Sequence, residues 1–375
     1  MKLFNLHTIN STGRLAWIDY ARAIAIILVL YRHIFEGLSR AALSQETFAG
    51  LEHANIIFYS FRMPLFFILS GAFIAKSLQR KGVAALIRNK FDVLFYPYVL
   101  WATLQITIQL LLSHFVNASR SLIDYTYIFT YPRNVDQFWY LLALFNVSVL
   151  YIFTRARLRL SIYWQLALGI AMYLYSDYLS VQHTDVGLLY DILHFYVFFA
   201  LGDFIGHQLL DEKNTARFSS WWLFLSLLPV FVAGQYYFLQ KNLAMENHLF
   251  VEHHQPLLFA AIAISGCAFI YNVSFILQRY QVLKFLRVIG HHSLYIYLTH
   301  VLIASATRIL LVKLFGITYL PLLLTICIIT AIIISIALYN IAMHYGCWWL
   351  YSLERPKNKL QQPAPVIIKH TQHRI

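Results

Sequence analysis

The chain has 375 residues, 60% of them hydrophobic and only 12% charged, with a net charge of +13. A water-soluble domain carries roughly 25% charged residues, so this composition excludes a soluble globular enzyme and fits an all-α polytopic transmembrane bundle covered mostly by lipid. The surplus of Lys and Arg lies in short links between apolar stretches rather than on one basic face, which points to membrane topology and away from nucleic acid as a partner.

Apolar runs of roughly 20 residues predict about ten spanning helices, near 15–35, 54–77, 91–116, 137–153, 162–180, 189–209, 219–239, 256–277, 292–314 and 319–351. The last is overlong and is expected to tilt or to run on past the bilayer. Residues 1–355 read as one transmembrane domain and 356–375 as a polar, mobile cytoplasmic tail. Basic residues crowd alternate links, such as Lys76 to Lys90 and Arg155 to Arg159, while the links between them hold few. By the positive-inside rule both termini are cytoplasmic. The first apolar run is broken by charge and has no small-residue cleavage site after it, so it is expected to stay in the mature chain.

That first run carries Asp19, Arg22, Arg32 and His33, although a charge near mid-bilayer costs about 2.5–3.5 kcal/mol even on the lenient insertion scale. Arg22 and His33 are the two ends of RAIAIILVLYRH. Eleven steps of about 100° bring the helix about 20° past three full turns, so the two share one face ~16 Å apart. Asp19 joins the stripe one turn below Arg22 and can pair with it. Such a stripe should face a wet cavity inside the bundle. Arg32, about 100° off the stripe, reads as a snorkelling side chain. Glu36, one turn beyond His33, either orients the imidazole, binds a substrate or is a solvated helix end.

The second span opens with Arg62, placed to reach the same outer pocket as His33. Pro64 frees a backbone carbonyl and Gly71 permits close helix approach. Arg88 and Lys90 directly precede the third span; they either bind an anionic substrate or only set topology. Trp139 starts the fourth span, where it can stack a sugar ring or belong to an interfacial aromatic belt. His194, His207 and His300 read as satisfied interior histidines. The stretch ENHLFVEHH (246–254) mixes histidine and glutamate, but its spacing matches no metal site and no metal is expected. Cys267, Cys327 and Cys347 read as packed thiols.

RLAWIDYARAIAIILVLYRH resembles the opening of the integral-membrane acyltransferase-3 family, whose signature is Arg or Lys, ten residues, then His. FRMPLFFILSG (61–71), FWYLLALF (138–145) and HSLYIYLTH (292–300) follow in the family's order and span most of the chain. Ala23 stands where many members have glycine, with the basic residue and histidine intact. The resemblance implies a membrane O-acyltransferase that moves an acyl group, commonly acetyl, from cytoplasmic acyl-CoA to a hydroxyl of a carbohydrate or glycolipid at the outer face. Acyl-CoA would be the donor substrate, with no bound cofactor, and a bacterial inner membrane the setting. His33 would serve as base, since an imidazole can take and release a proton near neutral pH, with Arg22 and Asp19 organising the donor's passage. Arg62, Glu36 and Trp139 would meet the acceptor, and Arg88 and Lys90 the donor phosphates. Direct transfer and an acyl-imidazole intermediate both remain open. A transporter of an anionic or sugar-linked substrate is the rival reading, because buried Arg and His also mark transport routes. A membrane assembly protein held together by its charges is a third.

Overall fold

The computed structural model describes residues 15–41, 48–112 and 120–355. Among these residues every regular element is helical. The expected tail, 356–375, lies outside the described residues. The elements that build the site are α1 (Ala16–Arg40), α2 (Tyr59–Ala72), α3 (Tyr96–Leu111), α4 (Trp139–Ala156), α5 (Ile162–Val181) and α6 (Leu188–Leu209). They are followed by α7 (Trp221–Ala244), the short α8 (Phe250–His254), α9 (Pro256–Tyr280), the short α10 (Phe285–His291), α11 (Ser293–Phe315) and α12 (Leu320–His344).

Among the described residues, eight helical stretches are long and apolar enough to cross a membrane: Ala49–Lys81, Val83–Leu111, Asp136–Ala156, α6, α7, α9, α11 and α12. The other two of the ten expected spans are α1, 25 residues, and α5, 20 residues. Both exceed the minimum length for a crossing, but neither is among the apolar set. The first carries Asp19, Arg22, Arg32 and Glu36, and the second is diluted by tyrosines, Gln165 and Asp177. The tenth span stops sooner than expected. It ends at His344, and Gly346 turns the chain with φ +75° into a short 3-10 turn, Trp348–Leu350. Only glycine takes that backbone without strain.

Helix α1 sits in the middle of the bundle. It packs against α2, α9, α10, α11 and α12, and Trp17, Tyr20, Ala21, Ala25 and Leu30 are buried on different sides of it. Asp19, near its start, is therefore ringed by protein, which is how a charge survives at membrane depth. By contrast, α7 lies at the periphery, with 17% of its apolar window buried against 67% for the stretch containing α4.

The tightest seam joins α2 to α6. A Cβ on Gly71 would fall 2.0 Å from the Phe199 carbonyl oxygen, and one on Gly202 would fall 2.1 Å from that of Ile68. Gly206, one turn on from Gly202, meets the Ala72 carbonyl in the same way. Small residues four apart let two backbones touch, and van der Waals contact then replaces the water-driven force that lipid removes. This seam locks the helix bearing Arg62 to the helix bearing His194.

Candidate active site

The upper half of α1 borders a cavity of about 380 Å³. Arg32, His33, Glu36 and Arg40 reach it from α1, and Tyr59 and Arg62 from α2. Arg133 and Trp139 come from the segment leading into α4, His194 from α6, Glu252 from α8, and Tyr297 and Arg308 from α11. Of the residues singled out in the sequence, the cavity thus gathers His33, Glu36, Arg62 and Trp139 from three different segments.

The His33 ring lies against that of His300, with centroids 5.5 Å apart and planes tilted by 47°. His300 Nδ1 sits 2.8 Å from the Tyr297 carbonyl oxygen and 3.2 Å from that of Ile296. A carbonyl only accepts, so Nδ1 carries the proton and Nε2 keeps its lone pair. That Nε2 is buried without a hydrogen-bond partner among the described residues. Arg32, Arg40 and Arg62 are the cationic neighbours of His33.

Arg62 is only 2% exposed. Its Nη1 donates to the Leu28 carbonyl at 3.3 Å, and its guanidinium lies 5.8 Å from the centre of the Tyr59 ring. Arg32 approaches the same ring at 5.3 Å. The Tyr59 hydroxyl donates to Glu252 Oε2 at 2.6 Å. Glu252 Oε1 is 3.5 Å from His194 Nε2, whose other ring nitrogen is 3.8 Å from Asp177. Tyr59 therefore divides the cavity wall. Its ring binds two cations through the π face, and its hydroxyl edge meets a buried carboxylate.

Glu36 does not turn to the imidazole. Its Oε1 accepts from Arg32 Nε at 2.8 Å, and Arg40 approaches Oε2 at 3.9 Å. Both arginines are four residues away on the same helix, where opposite charges meet most easily. Trp139 borders the cavity, but the Arg133 guanidinium lies 4.7 Å from its ring centre and Phe195 stacks on it at 5.7 Å. Those partners take up aromatic surface that a sugar would need. Arg133 also contacts the Tyr190 ring at 4.8 Å and pairs with the buried Asp191 at 2.7 Å. The segment that delivers Arg133 and Trp139 is braced from below: Arg120 binds both Asp124 and Asp136, and Gln105 donates to Asp136 at 2.9 Å.

Asp19, Arg22, Arg88 and Lys90 are not on this cavity. Asp19 is buried where α1 meets α10, and a Cβ on Gly290 would lie 1.8 Å from its carbonyl oxygen. Arg22 neighbours Lys90, Tyr140 and Tyr271. Arg88 is exposed. On one helix, ~16 Å apart by helical rise, Arg22 thus stands near Lys90 while His33 stands on the cavity.

Sequence reasoning passed over Tyr59, Arg133, Glu252 and Arg308, and read His194 and His300 as ordinary interior histidines. The usable signal was the one applied to Arg62, an ionisable residue inside an apolar span. Arg308 and His300 meet it. Glu252 lies in a stretch whose spacing fits no metal site, and that stretch lines the cavity through Leu249 and Glu252.

The family model for the Acyltransferase domain matches residues 15–340 of this chain. The chain is also similar to the Nodulation protein NolL of Mesorhizobium japonicum, with 27% identity over 213 residues, covering 56% of this chain and 53% of that protein. It therefore spans about half the length of that curated relative. No solved structure matches.

Proposed function

The chain thus belongs to the Acyltransferase domain family, and on that premise we propose that it moves an acyl group from cytoplasmic acyl-CoA to a carbohydrate hydroxyl at the outer face of a bacterial inner membrane. The observation that carries this reading is the place of His33: on a cavity large enough for a sugar, beside a buried arginine and a second imidazole.

In this reading both termini are cytoplasmic, so the Arg22 end of α1 faces the donor. Arg22 and Lys90 are like charges held close together. Together they can meet an anion, and the phosphates of coenzyme A supply one. The pantetheine arm then runs along α1 towards His33, with the acceptor arriving from the cavity. His33 takes the hydroxyl proton as the oxygen attacks the thioester carbonyl. Arg62 supplies positive charge to the oxyanion that forms, inside a site where little water screens it. Collapse breaks the C–S bond, leaves the acyl group on oxygen and returns the proton from His33 to the departing thiolate. His300 packs on the His33 ring and limits the orientations it can take.

Replacing His33 by Ala tests the base. With the purified protein in nanodiscs, acetyl-CoA and a glycan acceptor, transfer is expected to fall by about 10²–10⁴-fold, with the elution profile unchanged. Transfer at the unaltered rate would remove His33 from the chemistry. Substrate flux into vesicles without any acyl donor would favour a transporter instead.

A further inference from the structure

The cavity holds more positive charge than its own carboxylates balance. Asp191 neutralises Arg133, and Arg120 is shared between Asp136 and Asp124. Arg62, beside His33, has no ion pair with a carboxylate among the described residues. Glu252 is engaged by Tyr59 and His194. Glu36 is shared between Arg32 and Arg40. Arg308 has no ion pair with a carboxylate among the described residues, and its electrostatic neighbour is the Cys327 thiol on α12. It lies in an apolar span, half-buried, on the cavity wall, where a cation is costly unless something compensates it.

The position of the surplus is specific. Helix α1 meets α10 at Asp19 and Gly290, and meets α11 at His33 and His300. With α10 leading directly into α11, the two long helices run in the same direction. Arg40 lies seven residues beyond His33, and Arg308 eight beyond His300. At 1.5 Å per residue both stand about 10–12 Å further along than the imidazole pair, towards the mouth of the cavity. We propose that the acceptor is an anionic carbohydrate, whose carboxylate or phosphate is held by Arg308 and Arg40 at the mouth while a hydroxyl about 10–12 Å away reaches His33. That span is roughly two sugar rings. Guanidinium groups suit this task because they meet both oxyanions in a bidentate fashion.

The span to the reacting hydroxyl rests on the acyl-transfer reading; the anion site does not. The test is binding to the full-length protein in nanodiscs, with lactose, lactose 1-phosphate and lactobionate as probes and coenzyme A as a separate ligand. At least one charged sugar is expected to bind ten or more times tighter than lactose. Arg308→Gln should erase that preference, Arg308→Lys should keep only part of it, and neither should change the affinity for coenzyme A. Equal binding of charged and neutral sugars, no binding of either anion at millimolar concentration, or a preference that survives Arg308→Gln would overturn the proposal. So would a loss of coenzyme A binding in Arg308→Gln, which would assign the arginine to the donor. His33→Gln should stop transfer and retain the preference. A protein that prefers the charged sugar and transfers nothing from any acyl-CoA would end the enzyme reading and leave the anion site standing.

Discussion

The two ends of α1 carry similar residues and treat them in opposite ways. At the Asp19 end, Gly290 brings the backbone of α10 onto that of α1, and the Asp19 side chain is buried in close packing. At the His33 end the neighbouring helices part, and Arg32, His33, Glu36 and Arg40 line open space. One helix thus closes against its neighbours at one end and borders a cavity at the other.

Variants can break that contrast, beginning with the closed end. Gly290→Val places atoms where the Asp19 carbonyl already sits. Overpacking by a methyl group or two typically costs about 1–3 kcal/mol, and here the obstacle is backbone, which cannot swing aside. The expected outcome is loss of monodisperse protein on size-exclusion chromatography; a normal profile would show that α10 can shift away from α1. At the other end, Arg62→Ala should leave folded protein and lower kcat by about 10²–10³-fold, the usual cost of removing an oxyanion donor. An effect confined to KM would make Arg62 a binding residue only.

Lys90→Gln sharpens the comparison from the donor side. Loss of one charge-assisted contact, about 1.5–3 kcal/mol, should raise KM for acyl-CoA by at least tenfold with kcat and acceptor affinity nearly unchanged. A shift in acceptor KM instead would argue against two separate centres. The smallest effect is expected from Trp139→Phe. If Arg133 and Phe195 already occupy that ring, acceptor KM should move by less than about 1 kcal/mol, within the range of a conservative aromatic swap. A larger loss, with folding intact, would restore Trp139 as a sugar platform.

Much of the architecture was legible from apolar run lengths, because a bilayer fixes how long a spanning helix must be. Helical period alone puts Arg22 and His33 on one face, but of that stripe only His33 lines the cavity. Arg62 was placed near His33 because an arginine at that depth needs a polar surrounding. The end of α12 was misjudged because Gly346, a single turn residue, stops a run that stays apolar to Tyr351. The acidic half of the cavity was invisible for a different reason. Glu252, His194 and Asp177 come from three elements, and each taken singly is an ordinary residue. Only the packing of α8 against α5 brings them to Tyr59. Nor could the sequence show that Glu36 is captured by arginines on its own helix, since three polar groups one turn apart have several ways to pair.

The glycine seam between α2 and α6 also bears on handling the protein outside its native bilayer. Contact there depends on the shapes of two main chains rather than on exclusion of water, so replacing lipid with surfactant micelles should leave that joint largely intact. Solubilisation damage should start at the rim with α7, whose grip on its neighbours is slight, and reach the hollow between Arg62 and His194 last.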